Sequence, residues 1–234
     1  MPMLPVNPLR TDQFRGSSKA LDRLCNALTD GDKDGWAAYI RGHDGIDLRG
    51  AHLAGLDLNG WSMENADLAG ADLSGAQLCG AKLTRVKLIG TNLTGANLAT
   101  ADLENAMISS ADLTGADLTR AHLRVAVISN ATAAGTVFKG ARMYKIQMLG
   151  CDLTGADLSG TDGRYGACVN CDLTNADLRG SNFARAVFDN VKMNNANLAL
   201  SYFYGATFIS VCLDGADLTG CIYPGSKDCP QNPS

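Results

Sequence analysis

The stretch "NADLAGADLSGAQL", residues 65–78, places Leu at 68, 73 and 78, with Ala two residues before each. An α-helix repeats its apolar face about every 3.6 residues and a β-strand at every second residue, so neither element explains a period of five. The chain must therefore adopt a structure in which five residues bring it back to an equivalent position.

The five-residue period continues without a slip from residue 48 to residue 218. Of these 35 positions, 32 are Leu, Ile, Met or Phe, and the exceptions are Ala133, Gly163 and Cys168. Two residues before each apolar centre, 20 of the 35 positions are Ala, and the residue between the two is usually polar. This alternation predicts a three-residue strand with two side chains pointing inward and one pointing outward.

Turn residues follow each of these short strands. Two residues after the apolar centre, 25 of the 35 positions are Gly or Asn, the residues that tolerate positive φ. One such unit cannot bury its own Leu, so coils must stack until the inward residues form a continuous column. The pattern predicts an all-β solenoid over residues 46–223.

One coil is expected to be irregular. Gly163 and Cys168 replace two successive bulky inward residues, which should remove packing from the core. We expect a bulge, a local bend, or a neighbour such as Phe183 or Phe188 to fill the space.

The motif A(D/N)LXX, present as "ADLSG", "ANLAT", "ADLTG" and "ADLRG", strongly resembles the pentapeptide-repeat family from residue 46 to about residue 223. The resemblance implies a right-handed quadrilateral parallel β-helix with four pentapeptides in each coil. The 35 units would then form about nine coils, and the rod would be roughly 40 Å long at about 4.8 Å per coil.

The N-terminal segment, residues 1–45, has a helical pattern instead. We predict a helix over residues 18–28, capped by Ser18, and a second short helix over residues 34–41, capped by Asp34. Their apolar faces should cover the open first coil, because an uncovered coil would expose strand edges and promote aggregation.

The two ends of the sequence carry no membrane signal. The start, "MPMLPVNPLRTDQFRG", has no basic stretch followed by an apolar run, and no apolar run is long enough to span a membrane. We expect a cytoplasmic protein without a membrane partner. The tail, residues 224–234, contains three prolines and is expected to be irregular.

Neither the loop between the helices nor the cysteines predict a metal site. The loop "DGDKDG", residues 30–35, imitates the start of an EF-hand, but Arg41 stands where calcium binding requires a bidentate Glu. Among the eight cysteines, the closest pair, Cys168 and Cys171, has no second pair or nearby His to complete a zinc site. We expect reduced, mostly buried thiols, no metal and no cofactor.

Catalysis finds little support in the sequence. The three histidines, His43, His52 and His122, fall in the cap and on two different sides of the predicted rod, so none lies near both a nucleophile and an orienting carboxylate. The abundant Asp residues are a requirement of the repeat and line a convex surface without a pocket. We therefore expect no enzyme activity and no catalytic residues.

A period of four pentapeptides sorts the outward residues into four faces. Two neighbouring faces carry acidic ladders: Asp72, Asp112, Asp152 and Asp172 on one, and Asp117, Asp157 and Asp177 on the next. The third is a basic and aromatic face that contains Arg124, Arg142, Tyr144, Lys145, Arg164, Tyr165 and Arg185. The fourth presents an apolar stripe where the repeat usually places polar groups: Ile89, Met107, Val127, Leu149, Val169, Val187 and Ile209. Such a patch more often marks a contact than an accident.

Three functions are compatible with these faces. The first is a non-catalytic protein-binding or scaffold module, in which a partner or the second subunit of a homodimer covers the apolar stripe. The second follows from the family resemblance, because the family includes quinolone-resistance proteins that mimic duplex DNA and bind type II topoisomerases; here the acidic ladders would bind DNA gyrase or topoisomerase IV. The third is nucleic-acid binding through the basic and aromatic face, which the net charge of −4 opposes. We rank the functions in this order.

Overall fold

The computed structural model describes residues 9–222. Two short helices, α1 (Ser18–Asp30) and α2 (Lys33–Arg41), precede an all-parallel β-solenoid. Six regular strands form one sheet in chain order and define about five turns: β1 (Met107–Ser109), β2 (Val127–Ser129), β3 (Gln147–Leu149), β4 (Ala167–Val169), β5 (Val187–Asp189) and β6 (Thr207–Ile209). Within residues 9–222, no helix is both long and apolar enough to cross a membrane.

Each strand pairs with the strand one coil later. Met107 pairs with Val127, and the same offset of 20 residues recurs up to β6. Isolated parallel bridges repeat this offset at every fifth residue, from the bridge that begins at Asp47 to the one that ends at Ile222. Four pentapeptides therefore make one coil.

Main-chain hydrogen bonds join the coils on both sides of each outward residue. Asp72 donates its N–H to the carbonyl of Ala51 in the coil before, at 2.9 Å. Leu73 donates its N–H to the carbonyl of Asn92 in the coil after, at 2.8 Å. The inward side chains of Ala71 and Leu73 are both 1% exposed, so small and large residues alternate in a closed core.

The corner residue, two positions after each apolar centre, has a positive φ in all 35 repeats. Gly or Asn occupies 25 of these corners. The remaining ten corners hold other residues in the left-handed region, where the Cβ atom lies unfavourably close to the carbonyl oxygen that follows it. They are Arg85, Thr100, Ser110, Arg120, Val125, Lys145, Tyr165, Arg185, Leu200 and Ser210.

The irregular coil is filled by a neighbour rather than by a bulge. A Cβ on Gly163 would lie 2.1 Å from Cε1 of Phe183, so the Phe183 ring occupies the space of the missing side chain. Cys168 keeps the common register, pairing with Met148 in the coil before and with Phe188 in the coil after. The strand ladder therefore continues through this coil unchanged.

Both helices have their caps earlier than the sequence predicted. The cap of α1 is Ser17 rather than Ser18, and its side chain accepts the N–H of Ala20 at 3.3 Å. The N–H of Ser17 donates to the carbonyl of Asp47 in the first coil, at 2.8 Å, which holds Ser17 outside the helix. This tertiary contact, which the sequence does not reveal, decides between the two adjacent serines.

The second cap is Asp32 rather than Asp34. Its Oδ1 accepts the N–H of Gly35 at 2.8 Å, and Asp34 lies inside the first turn of the helix. The helix consequently starts at Lys33, and α1 runs to Asp30, beyond the predicted end at residue 28.

The helices and the segment before them cover the first coil. Trp36 is fully buried and donates its indole N–H to the carbonyl of Ser62 at 2.7 Å. The N–H of Arg15 donates to the carbonyl of Arg49 at 2.9 Å, so the segment before α1 pairs with the exposed edge of this coil. The predicted irregular tail, residues 224–234, lies outside the described residues.

Candidate interaction surfaces

The acidic ladders lie in two neighbouring columns of the solenoid. Asp152 bridges directly to Asp172 in the next coil, and Asp157 bridges to Asp177. Elsewhere a neutral residue separates successive acids, as Thr132 does in the coil before Asp152. The acidic ladders are therefore interrupted rows that contain two adjacent carboxylate pairs.

Each carboxylate of the acidic ladders also closes its own corner. Oδ1 of Asp112 accepts the N–H of Thr114 at 2.9 Å, and Oδ1 of Asp117 accepts the N–H of Thr119 at 2.8 Å. Hydrogen bonds from the side chain and backbone of Thr114 hold the pKa of Asp112 below its usual value. The Asp of the repeat thus has a structural role that does not depend on any partner, and the "D-x-T" spacing is its sequence signal.

Neighbouring cations neutralise part of the acidic ladders. Lys192 Nζ lies 3.3 Å from Oδ2 of Asp172. Arg179 forms a hydrogen-bonded ion pair with Asp177, and that bond holds the pKa of Asp177 low. One member of each adjacent carboxylate pair is therefore matched by a cation.

The apolar stripe lies on the face of the regular sheet. Its members occupy the first and third positions of the strands, with Ile89 one coil before β1. Four of them are between 36% and 47% exposed: Ile89, Met107, Val187 and Ile209. The other three are partly buried: Val127, Leu149 and Val169. Apolar neighbours across the strands, such as Met107 and Val127, favour regular β-structure on this face.

The basic and aromatic face contains a compact cluster of cations and rings. Tyr144 and Tyr165 meet edge to face, with their ring centroids 5.4 Å apart. Lys145 Nζ lies 5.5 Å and Arg164 Cζ 5.9 Å from the centroid of the Tyr144 ring. Arg185 lies 5.5 Å from the Tyr165 centroid and donates to the Tyr165 hydroxyl at 3.0 Å. Each ring is thus engaged by at least one cation.

Only some cations on this face have a carboxylate partner. Arg124 pairs with Glu104 and Arg164 with Asp162, each at 2.8 Å. The hydrogen bond from Arg164 holds the pKa of Asp162 low. Within residues 9–222, three of the five cations named for this face form no ion pair: Arg142, Lys145 and Arg185.

The cysteines are less buried than the sequence suggested. Among the seven that the structure describes, three are buried (Cys151, Cys168 and Cys171), and Cys79 is exposed. The hydrogen bond with Cys151 lowers the pKa of Cys171, but the hydrogen bond with Cys168 and burial outweigh it and raise the pKa to about 12. Cys171 is therefore protonated at neutral pH and unreactive.

The histidines and the loop that imitates an EF-hand do not form a common site. His52 Nδ1 lies 3.3 Å from Oδ2 of Asp72 on one face, whereas His43 follows α2 and His122 lies in the column of the basic and aromatic face. In the loop that imitates an EF-hand, Asp32 caps α2 and pairs with Arg23 at 3.3 Å. Among residues 9–222, no group of three or more His, Cys, Asp and Glu side chains is arranged to hold a metal ion.

The sequence profile of the Pentapeptide repeats family matches residues 46–220 in overlapping segments. The chain belongs to the pentapeptide-repeat family. No curated protein matches it by sequence.

Among solved structures, the chain is similar to several pentapeptide repeat proteins. HetL, involved in heterocyst differentiation regulation in the cyanobacterium Nostoc sp., is 24% identical with a TM-score of 0.48, over 82% of this chain and 97% of HetL. Full-length QnrB1, a plasmid-mediated fluoroquinolone resistance protein, is 21% identical with a TM-score of 0.48, over 74% of this chain and 92% of QnrB1. A protein from the Arabidopsis thaliana thylakoid lumen is 33% identical with a TM-score of 0.31, over 48% of this chain and 68% of that protein.

Proposed function

We propose that this pentapeptide-repeat protein is a non-catalytic protein-binding or scaffold module that binds a partner, or a second copy of itself, through the apolar stripe. The observation that carries the proposal is the exposure of Ile89, Met107, Val187 and Ile209 on one face of the solenoid. Burying apolar surface gains about 25 cal/mol per Å², so a partner that covers this sheet is favoured over water.

The proposed rod is a right-handed quadrilateral helix of about nine coils. The 20-residue offset from Asp47 to Ile222, with four bridges per coil, supports the four sides and the number of coils. At about 4.8 Å per coil, the stripe between Ile89 and Ile209 is roughly 29 Å long. A cytoplasmic location is part of the same proposal.

A charge placed in the stripe tests the proposal. Val187→Asp should abolish self-association or capture of the partner, because an unpaired carboxylate would have to be buried in the contact. Leu200→Asp is the matched control, since Leu200 is also an exposed apolar residue but lies at a corner outside the stripe. Light scattering over a range of concentrations measures self-association, and affinity capture from the source cells measures partner binding. If the protein is strictly monomeric and Val187→Asp leaves partner capture unchanged, the apolar stripe is not the binding surface.

A second candidate function is that of a DNA mimic that binds DNA gyrase or topoisomerase IV. The adjacent pairs Asp152 with Asp172 and Asp157 with Asp177 support it, because their spacing of about 4.8 Å resembles that of phosphates. Two features disfavour a DNA mimic: the cations Lys192 and Arg179 beside these pairs, and the basic and aromatic face. We therefore rank the DNA mimic second.

The mimic predicts inhibition of gyrase supercoiling that weakens as salt is added, because salt screens charge attraction. Replacing Asp112, Asp152 and Asp172 by Asn preserves the side-chain oxygen that closes each corner and deletes three charges of one ladder. That triple variant should lose the gyrase effect while its circular dichroism stays unchanged. No effect on supercoiling at any protein concentration would eliminate the mimic.

A further inference from the structure

One column of corners in the solenoid holds half of the corner residues that are neither Gly nor Asn. Ten corner positions have a residue other than Gly or Asn at positive φ, and five of these share one column: Arg85, Val125, Lys145, Tyr165 and Arg185. The other three columns hold the remaining five between them. Gly or Asn would meet the turn geometry with less strain, so the fold by itself does not account for long side chains concentrated here.

This corner also carries the cations and rings of the basic and aromatic face. We define the basic ridge as the basic and aromatic residues that lie one or two positions after the apolar centre in five successive coils of this column: Arg124, Tyr144, Lys145, Arg164, Tyr165, Arg185 and Tyr204. No residue at these two positions between residues 124 and 205 is acidic. Four steps of about 4.8 Å make the basic ridge roughly 19 Å long.

We infer that the basic ridge binds an extended acidic segment of a protein partner. The inference rests on the proposed protein-binding function and adds a second surface and its ligand chemistry. A length of roughly 19 Å matches about six residues of extended chain at about 3.3 Å each. Lys145 and Arg185 supply charges that no carboxylate within residues 9–222 neutralises.

The side chain of Arg185 is preorganised to bind a carboxylate. One of its N–H groups donates to the Tyr165 hydroxyl at 3.0 Å, and the Tyr165 ring lies beneath the guanidinium at 5.5 Å. These two contacts fix the plane of the guanidinium and leave other N–H groups for a paired hydrogen bond to a carboxylate. A fixed cation loses less conformational entropy on binding than a free one.

The same geometry disfavours a nucleic acid. Bases stack on free aromatic faces, but cations already lie over the rings of Tyr144 and Tyr165. Glu104 and Asp162 also stand beside the basic ridge and would repel a backbone that is charged at every unit. A peptide can place neutral residues opposite these two carboxylates.

Fluorescence anisotropy with the full chain tests the inference. The probe is a labelled peptide of alternating Glu and Ser, and single-stranded oligothymidylate of the same length is the competing polyanion. We expect the peptide to bind at low salt, to bind more tightly than the oligonucleotide, and to be released as salt rises. Binding that is absent, that ignores salt, or that favours the oligonucleotide would overturn the inference without any variant.

Charge deletion locates the site. The double variant Lys145→Gln/Arg185→Gln should weaken peptide binding about tenfold, because it removes the two unpaired cations of the basic ridge. The variant Arg120→Gln/Lys139→Gln removes the same charge from another corner, where Arg120 has a φ of 56° against 59° for Arg185, and should leave binding unchanged. Circular dichroism checks that both variants fold. Equal losses in both variants would refute the assignment.

The two proposals fail separately. If the peptide does not bind but Val187→Asp still abolishes partner capture, only the basic ridge is wrong. If the peptide binds through Lys145 and Arg185 but capture ignores Val187→Asp, only the apolar stripe is wrong.

Discussion

Replacing Gly163 by Leu, the residue that the repeat would normally place there, should destabilise the protein. The φ of Gly163 is not positive, so this glycine is required for space and not for backbone freedom. A Cβ at this position would lie 2.1 Å from Cε1 and 2.4 Å from Cδ1 of Phe183, well inside the carbon–carbon contact distance of about 3.5–4.0 Å. The substitution that restores the sequence motif therefore breaks the packing.

The expected magnitude follows from how firmly the Phe183 ring is held. It stacks on Phe203 with centroids 6.0 Å apart and meets Phe188 edge to face at 5.4 Å, so it has little room to move. Overpacking a filled core costs about 1–3 kcal/mol, and we expect about 3 kcal/mol for Gly163→Leu. Phe183→Leu alone removes part of a buried ring and should cost about 2 kcal/mol. The double variant Gly163→Leu/Phe183→Leu moves the bulk from one coil to the other and should cost only about 1 kcal/mol.

Urea unfolding followed by circular dichroism measures these free energies, and the double-mutant cycle isolates their coupling. Independent effects would add to about 5 kcal/mol, so the expected coupling is about 4 kcal/mol in favour of the double variant. Leu73→Ala combined with Phe183→Leu is the control, because residues in separate coils far apart should act additively. Additive costs for Gly163→Leu and Phe183→Leu, or a stable Gly163→Leu protein, would refute the packing argument.

Three further outcomes follow from the structure. Val125→Asn should raise the melting temperature and the stability by about 1 kcal/mol, because Val125 holds a β-branched side chain at a φ of 58°; an unchanged melting temperature would contradict this. The hydrogen bond from Arg179 lowers the pKa of Asp177 from 3.8, so its stabilisation is present above that pH and is lost as the pH falls through the lowered value. The free energy of unfolding of Asp177→Asn, measured by urea titration, should therefore fall less steeply below pH 3.8 than that of the unmodified protein. Parallel pH profiles of the two proteins would contradict this prediction. Iodoacetamide should modify the exposed Cys79 in the native protein, whereas Cys171, with its pKa raised to about 12, should react only after unfolding, as peptide mass spectrometry would show.

The solenoid and its corners could be predicted because the same local chemistry recurs in every unit. Each apolar residue of the motif needs burial, each outward Asp or Asn closes a turn two residues later, and each Gly or Asn relieves a positive φ. These requirements act within a single pentapeptide, so any one unit reveals them and repetition makes them unmistakable. The family resemblance supplied the coil of four pentapeptides, and the 20-residue register of the strands agrees with it.

The candidate surfaces were harder to predict because they depend on residues that meet only after the coils stack. Sequence sorting placed Asp152 and Asp172 in one column, but it did not show that Lys192 would neutralise Asp172 from the following coil. It likewise grouped the cations and tyrosines of one face, but not the engagement of Tyr165 by Arg185. Side-chain reach and direction across neighbouring coils decide such pairings, and these are properties of packing and not of the repeat.

The sequence by itself determined the period, the β-solenoid, the positive φ at the corners and the helical character of the N-terminal segment, because each follows from local preference and the need to bury one apolar residue per unit. Only the tertiary structure decided that Ser17 and Asp32 cap the helices, that Phe183 rather than a bulge or a bend fills the space at Gly163, and that Arg185 engages the ring of Tyr165. The physical reason is that the Ser17 cap, the position of the Phe183 ring and the contact of Arg185 with Tyr165 depend on chain segments that lie 20 or more residues apart. A hydrogen bond, a ring or a charge from one segment there changes the conformation that its neighbour can adopt.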